Sequence, residues 1–289
     1  MRILVIGSKG LLGTEIIKHF KEKNVFVIEA DLPEYDIFSE SLANLFWHHN
    51  FDFVINCAAY TNVPKAETDQ FNALKLNVEA LVTLSSLCVK YGVGLIHFST
   101  DFVFDGEKNT SYTELDPPNP KSFYGLSKLF GERIINRSMQ NNNYTIFRLQ
   151  WLYGNSPKTF FNKVLDKVNR GETLNIVNDE FGAPCSVSFV ASVLYKYLTF
   201  VYNPPALFIN NLSGETYNLT HDDSCSRYEC AKYLFKLLKI DYPITPIINA
   251  PMDVKRPKNG VMYNLKLRSF LEENLIWSWK EDLKSTYAK

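Results

Sequence analysis

Tyr124 and Lys128 stand at i, i+4 in the segment Tyr124-Gly125-Leu126-Ser127-Lys128, a spacing that puts both side chains on one face of a helix. The pair suits proton transfer. A phenol has an unperturbed pKa of about 10, and a neighbouring ammonium stabilises the phenolate and brings it towards the working range. Lys128 can also hold a cofactor ribose. Ser99-Thr100-Asp101 follows the apolar run Gly94–Phe98, so Thr100 falls at the end of a strand candidate. Its hydroxyl can bond a carbonyl oxygen that Tyr124 protonates. Taken alone, the Tyr–Lys pair would also fit an inert surface helix. Its convergence with Thr100 on one place points to chemistry.

A second constellation lies at the start of the chain. The run Ile3–Ile6 leads into Gly7-Ser8-Lys9-Gly10-Leu11-Leu12-Gly13 and then into a helix candidate. Glycines let the backbone turn and approach a pyrophosphate, whose charge is met by amide N–H groups at the helix N-terminus. Strand, glycine loop and helix together are the context in which this motif marks a dinucleotide site. Gly7, Lys9, Gly10, Leu11, Leu12 and Gly13 are the candidate contacts. Asp31 follows the second strand candidate, where a carboxylate can accept from an adenosine ribose and repel a 2′-phosphate. That favours NADH, while Lys9 can offset the repulsion and keeps NADPH open. A solvated loop residue is the alternative reading of Asp31.

Strands and helices must alternate to bring these residues together. Strand candidates are Ile3–Ile6, Val25–Glu29, Phe53–Asn56, Gly94–Phe98 and Thr145–Leu149; helix candidates are Leu11–Glu22, Ser39–His49, Phe71–Tyr91 and Ser122–Asn136. This rhythm predicts an α/β fold of Rossmann type, a doubly wound parallel sheet with ligands beyond the carboxyl ends of its strands. Two further helices are predicted at Val187–Tyr202 and Arg227–Leu238, among polar loops at Asn203–Pro205, Asp241–Pro246 and Asn249–Pro257. A turn is predicted at Asn141–Asn143. The expected division is a dinucleotide-binding domain over 1–152, to which about 186–220 returns, and a smaller substrate-binding domain over 153–289, with a cleft between.

Composition sets outer limits. The 289 residues are 46% hydrophobic and 21% charged, as in ordinary globular proteins. Lys and Arg number 31, as do Asp and Glu, so net charge suggests neither nucleic acid nor an anionic membrane as partner. No run approaches the roughly 18 apolar residues of a spanning helix, and the N-terminus reads as a strand rather than a signal, so a cytoplasmic location is expected. Cys57, Cys88, Cys185, Cys225 and Cys230 show no CxxC spacing, so neither a disulfide framework nor a zinc site is expected. His48 and His49 are adjacent on a helix candidate and point apart, and Glu15 is a single carboxylate. No metal site is expected.

Seven ordered segments carry a resemblance. GSKGLLG (Gly7–Gly13) is similar to GxxGxLG, NCAAYTNVPKAE (Asn56–Glu67) to NCAAYTxVDxAE, and STDFVFDG (Ser99–Gly106) to STDYVFDG. PKSFYGLSKLFGE (Pro120–Glu132) contains YGxSKxxGE, and RLQWLYG (Arg148–Gly154) is similar to RTSWxYG. NDEFGAPC (Asn178–Cys185) and RPKNG (Arg256–Gly260) resemble xDQxGxPT and RPxNS. The sequence thus resembles the dTDP-4-dehydrorhamnose reductase family, extended short-chain dehydrogenases that reduce 4-keto-6-deoxy nucleotide sugars. The resemblance implies that Thr100, Tyr124 and Lys128 are catalytic. It places Asp101, Phe102, Val103 and Trp151 at the sugar, and Asp36, Ile37, Ala58, Ala59 and Thr61 at the cofactor. Arg256 would meet a nucleotide diphosphate, for which a guanidinium has the right fork.

The departures fall where specificity is set: Pro64 for Asp, Phe102 for Tyr, Gln150 for Ser, Cys185 for Thr and Gly260 for Ser, with Phe160 where Asn usually precedes Phe161. The leading expectation is an NADH- or NADPH-dependent 4-keto reductase of a dTDP- or UDP-linked sugar. One alternative is a bifunctional 3/5-epimerase and 4-reductase on a UDP-linked, acetamido-bearing sugar, with Cys185 in an added acid–base pair. Another is a non-catalytic regulatory subunit like the beta subunit of methionine adenosyltransferase. A homodimer is left open.

Overall fold

A computed structural model describes residues 1–140, 143–203, 214–248, 254–269, 271, 275 and 277–288. Apolar runs in the first half form β1 (Arg2–Ile6), β2 (Phe26–Ala30), β3 (Phe53–Asn56), β4 (Gly94–Thr100) and β5 (Tyr144–Leu149). With the strand Glu215–Asn218 they make one six-stranded parallel sheet, in which that strand lies beside β5 and the order continues β4, β3, β1, β2. Every residue of β3, β4 and β5 is buried, as a sheet covered on both faces requires.

Helices close the two faces. One side carries α1 (Leu11–Glu22), through Ile16, Ile17 and Phe20, packed with the later helix Val187–Tyr202. The other carries α2 (Glu40–His48) and, beyond two short helices α3 (Val63–Ala66) and α4 (Gln70–Leu74), α5 (Ala80–Tyr91) and α6 (Phe123–Ser138). Among the described residues no helix is long and apolar enough to cross a membrane.

The helices predicted at Leu11–Glu22, Val187–Tyr202 and Arg227–Leu238 and the strand at Phe53–Asn56 have the predicted bounds. The predicted helix Phe71–Tyr91 differs: α4 and α5 flank a π-helical turn, Lys75–Glu79. Asn77 explains the interruption. Its buried amide accepts from Tyr60 N and donates to Tyr60 O and Ser127 Oγ, bonds that a regular helix would aim elsewhere. The loop predicted at Asp241–Pro246 runs into a strand, Ile244–Ile247, paired in parallel with Leu174–Val177. A two-stranded ribbon has only edges, so Pro246 is tolerated there. The predicted loops Asn203–Pro205 and Asn249–Pro257 and the turn Asn141–Asn143 lie partly outside the described residues. Among the described residues, the helices α7 (Phe160–Asn169) and Trp279–Tyr287 and the single turns α3 and Leu265–Arg268 were not predicted.

The helix Trp279–Tyr287 is tied in by a buried carboxylate. Asp282 accepts from Tyr153 Oη at 2.9 Å, Ser186 N at 2.8 Å, Ser186 Oγ at 2.6 Å and His221 Nε2 at 3.0 Å. Removing an acceptor that satisfies several buried donors leaves each of them unpaired. Asp282→Ala is expected to lower unfolding free energy by about 3–5 kcal/mol, the scale of losing one partner of a buried charged network. Urea unfolding followed by circular dichroism measures this.

Candidate active site

The strands are parallel, so the loops after β1, β2, β3, β4 and β5 all emerge at one edge of the sheet. Helix α6 presents Tyr124 and Lys128 to that edge because two of its residues have no side chain. A Cβ on Gly125 would lie 2.2 Å from Phe102 O, and one on Gly131 would lie 2.5 Å from Asn77 O. The helix therefore rests directly on the turn after β4 and on the π-turn. Its N-terminus is fixed by Ser122 Oγ, which accepts from Gly125 N, and by Glu67 Oε1, which accepts from Phe123 N. At mid-helix, Glu132 receives two bonds from Arg148 of β5, at 2.9 and 2.7 Å, in a buried ion pair.

This brings the three sequence-predicted catalytic residues together. Tyr124 is buried, with the Phe102 ring edge-on at 5.5 Å. Its hydroxyl interacts with Thr100. Thr100 Oγ1 in turn donates to Asp101 Oδ1 at 3.0 Å and accepts from Phe102 N. Lys128 Nζ donates to Phe98 O at 2.7 Å and lies 3.1 Å from His97 Nε2.

Burial governs the protonation of the cluster. It pushes the Tyr124 phenol up to about 12, against the influence of the neighbouring Thr100 hydroxyl. It pushes the Asp101 carboxyl up to about 7, against the same hydroxyl and the charge of Arg227. It pushes Lys128 down to about 8, against the carboxylate of Glu132. The expected lowering of the phenol by the ammonium is not visible in this balance, where burial outweighs the other influences. Lys128 is engaged by Phe98 and His97, and desolvation of the phenolate prevails.

The glycine loop and Asp31 also meet. Gly7 has φ +74°, a conformation that side chains disfavour, and a Cβ there would lie 2.7 Å from Ala58 N. Asp31 Oδ2 accepts from Lys9 N at 2.7 Å and Oδ1 from Leu32 N at 2.8 Å, while Lys9 Nζ donates to Leu32 O. Gly10 caps α1 without a side-chain bond, which leaves the first helical amides to an anion. The bare loop and uncapped helix start fit a dinucleotide pyrophosphate. Ala58 and Ala59 are half-buried and Thr61 exposed at the end of β3. Asp36 turns the chain into α2 by accepting from Phe38 N. Leu12 and Ile37 are buried in the two core layers, where they pack rather than present a surface; Leu11 is half-buried.

The expected substrate residues divide. Phe102 and Asp101 lie at the cluster, and the Arg256–Gly260 segment reaches it: a Cβ on Gly260 would lie 2.7 Å from Asp101 Oδ2. Val103 does not line the site. It is fully buried with Phe104, Tyr112, Leu129 and Met262, because the short helix after β4 turns it inward. Cys185 is likewise fully buried, its thiol on Ala183 O and pushed up by desolvation. Gln150 is a buried brace, donating to Thr220 Oγ1 and accepting from Ala183 N.

Trp151 adopts φ +44°, which is uncommon for a bulky residue. Its ring lies 4.1 Å from the Arg227 guanidinium, which also faces Phe160 at 5.3 Å and donates to Glu180 Oε2. Trp151, Phe160, Phe161, Pro184 and Arg227 line a cavity of about 190 Å³. Arg256 is half-buried, and its charge acts on Arg227.

A family profile described as the RmlD substrate binding domain matches residues 1–289. The chain belongs to the dTDP-4-dehydrorhamnose reductase family. A dTDP-4-dehydrorhamnose reductase of Sinorhizobium fredii is 28% identical over 274 residues, 92% of this chain and 90% of that protein. The crystal structure of a dTDP-4-dehydrorhamnose reductase from Clostridium acetobutylicum superposes with a TM-score of 0.88 at 34% identity, over 99% of this chain and 98% of that one. That of the Bacillus anthracis dTDP-4-dehydrorhamnose reductase, in complex with NADP, gives 0.86 at 26% identity, over 99% and 97%.

Four residues of this family member escaped sequence reasoning: His97, Asn77, Glu132 and Arg227. Glu132 and Asn77 carried a signal, being polar residues on predicted helices at steps of three or four from apolar ones. His97 lay in an apolar strand pattern, and Arg227 had no sequence neighbour to mark it.

Asp101 gives a pH signature. The folded chain keeps this proton up to about pH 7, whereas an unfolded aspartate releases it near a pKa of about 3.9. Between those values the folded state binds more protons, so this group makes stability fall as pH rises. Asp101→Asn is expected to remove that contribution, and denaturant unfolding at pH 5 and pH 8 compares the slopes.

Proposed function

We propose that this chain reduces the C4 ketone of a 4-keto-6-deoxyhexose nucleotide, with Tyr124 as proton donor, Thr100 as carbonyl-binding hydroxyl and Lys128 as the partner of Tyr124. Membership of the family makes the chain an NAD(P)-dependent oxidoreductase of nucleotide sugars. The finer reading is carried by one observation: Thr100, Tyr124 and Lys128 meet at the end of β4, on the sheet edge that also carries the glycine loop and Asp31.

When bound, the dinucleotide supplies a hydride to the carbonyl carbon. The phenol of Tyr124, held neutral by burial, delivers its proton to the carbonyl oxygen, and Thr100 donates to the same oxygen as charge gathers there. Gly7, Gly10 and Gly13 admit the pyrophosphate. Asp31 faces the adenosine ribose, with Lys9 beside it; this leaves both NADH and NADPH as substrates of the reaction. The elements from residue 153 onward, apart from the helix Val187–Tyr202 and the strand Glu215–Asn218 that return to the sheet, form the substrate-binding part, with Arg227, Arg256, Trp151 and Phe160 towards the nucleotide. The burial of Cys185 counts against an epimerase step through that thiol.

Incubation with dTDP- and UDP-linked 4-keto-6-deoxyhexoses and either cofactor, followed at the cofactor absorbance, tests this. Tyr124→Phe is expected to lower kcat by roughly 10²–10⁴-fold, the usual worth of a general acid. Full activity in that variant, or no cofactor oxidation with any keto sugar, would overturn the proposal.

A further inference from the structure

Lys128 has two polar neighbours at its amine, and only one is a simple acceptor. Nζ donates to Phe98 O at 2.7 Å, and the other contact, at 3.1 Å, is His97 Nε2. Both side chains are almost fully buried, so the hydrogens between them must be assigned without help from bulk water.

The far side of His97 makes that assignment. Ala58 N donates to Asn56 Oδ1 at 3.1 Å, which fixes the orientation of the Asn56 amide. Its NH2 group therefore faces His97, with Nδ2 3.2 Å from Nδ1. Nδ1 must accept this bond, so a neutral imidazole carries its hydrogen on Nε2. That N–H is aimed at Lys128. An ammonium has three donors and no acceptor, and cannot receive it. A neutral amine can, through its lone pair, while one of its own N–H bonds serves Phe98 O.

The alternatives each create a buried conflict. Turning the Asn56 amide sets its NH2 against Ala58 N–H. A hydrogen on Nδ1 would oppose Asn56 Nδ2, and a doubly protonated ring would oppose donors on both sides. Among the described residues the amine forms no ion pair, and the carboxylate whose charge acts on it is that of Glu132. Glu132, on its own helix, is committed to Arg148 of β5; Tyr124, one turn earlier, is a neutral phenol; the π-turn contributes the uncharged Asn77. Burial acts on Lys128 in the same direction and holds His97 well below its ordinary range.

We propose that Ala58, Asn56 and His97 form a tautomer-fixing chain that aims the Nε2–H of His97 at Lys128 and so loosens the hold of its amine on a proton in the cofactor-free enzyme, which makes His97 a positioning residue for the Tyr124–Lys128 pair. This rests on the reading of that pair as the proton-transfer site. The chain begins at Ala58, beside the glycine loop, so it runs from the cofactor edge to the amine.

The direct test needs no substrate. Nitrogen-15 NMR of the full-length protein labelled at histidine, with the His97 signals identified by their loss in His97→Gln, reads the tautomer. The expected result is a hydrogen on Nε2, a bare Nδ1 and no titration between pH 6 and pH 9. A hydrogen on Nδ1, or an imidazolium in that range, overturns the proposal. Should His97→Gln fail to fold, differential labelling of the five histidines by their carbon shifts gives the same reading in the unaltered chain. In a folded His97→Gln enzyme, the side-chain carbonyl can accept from an ammonium. The ionisation in the pH profile of kcat/KM should then move upward by about one pH unit or more, a tenfold change in proton affinity. A lower kcat with an unmoved profile would mean a merely structural His97. Absence of any turnover would count against the reductase reading, while the NMR result still decides this one.

Discussion

The site depends on how closely α6 can approach its neighbours. Gly125 and Gly131 leave the helix backbone in contact with Phe102 O and Asn77 O, distances at which any Cβ would force the elements apart. That contact fixes both the depth and the rotation of α6, and with them the side chains at Tyr124 and Lys128. The π-turn at Lys75–Glu79 belongs to the same arrangement. It turns Asn77 towards Tyr60 and Ser127, and its carbonyl forms the floor on which Gly131 rests. The Glu132–Arg148 pair then clamps the helix to β5. Such a pair adds little net stability, but once present it is costly to break, so it holds register more than it adds energy.

Close packing also explains the electrostatics. Water is excluded from the end of β4, so Tyr124, Asp101 and Lys128 are each displaced towards their neutral forms. Burial thereby weakens the charge that these groups would carry in water. A site in that condition meets an incoming dinucleotide and sugar nucleotide, both anionic, with less negative charge on Asp101 to repel them. The positive charge is instead set apart, on Arg227 and Arg256 near the cavity under Trp151.

Much of the fold was legible because periodicity and glycine placement are local signals. Leu11–Glu22 and Phe53–Asn56 could be bounded from apolar spacing alone, and the strand–glycine–helix order announced the cofactor edge. Thr100, Tyr124 and Lys128 were found because their spacing is itself chemical. What escaped notice depends on partners distant in sequence. Asn77 interrupts a helix for the sake of Tyr60 and Ser127; Val103 looks like a site residue until the turn after β4 is seen to bury it; Cys185 looks reactive until its enclosure is known. His97 sits inside the continuous apolar run Gly94–Phe98, and only the meeting of β3, β4 and α6 reveals its contact with Lys128. α7 carries an amphipathic spacing of its own in Phe160, Phe161, Val164, Leu165 and Val168, which went unread, while the helix Trp279–Tyr287 packs its Tyr287 against Phe161.

Asp282 carries a consequence for the order in which the molecule can be made. Its partners Tyr153, Ser186 and His221 precede it by 129, 96 and 61 residues. Likewise the strand Glu215–Asn218 pairs with β5 only after a long excursion. As the chain leaves the ribosome, the sheet's edge beside β5 and the buried donors behind it are complete in sequence but incomplete in bonding. High sequence separation of this kind slows folding and prolongs exposure of unpaired edges. The second half of the chain is thus a late-arriving cover, and the nascent first half must remain unjoined until it comes.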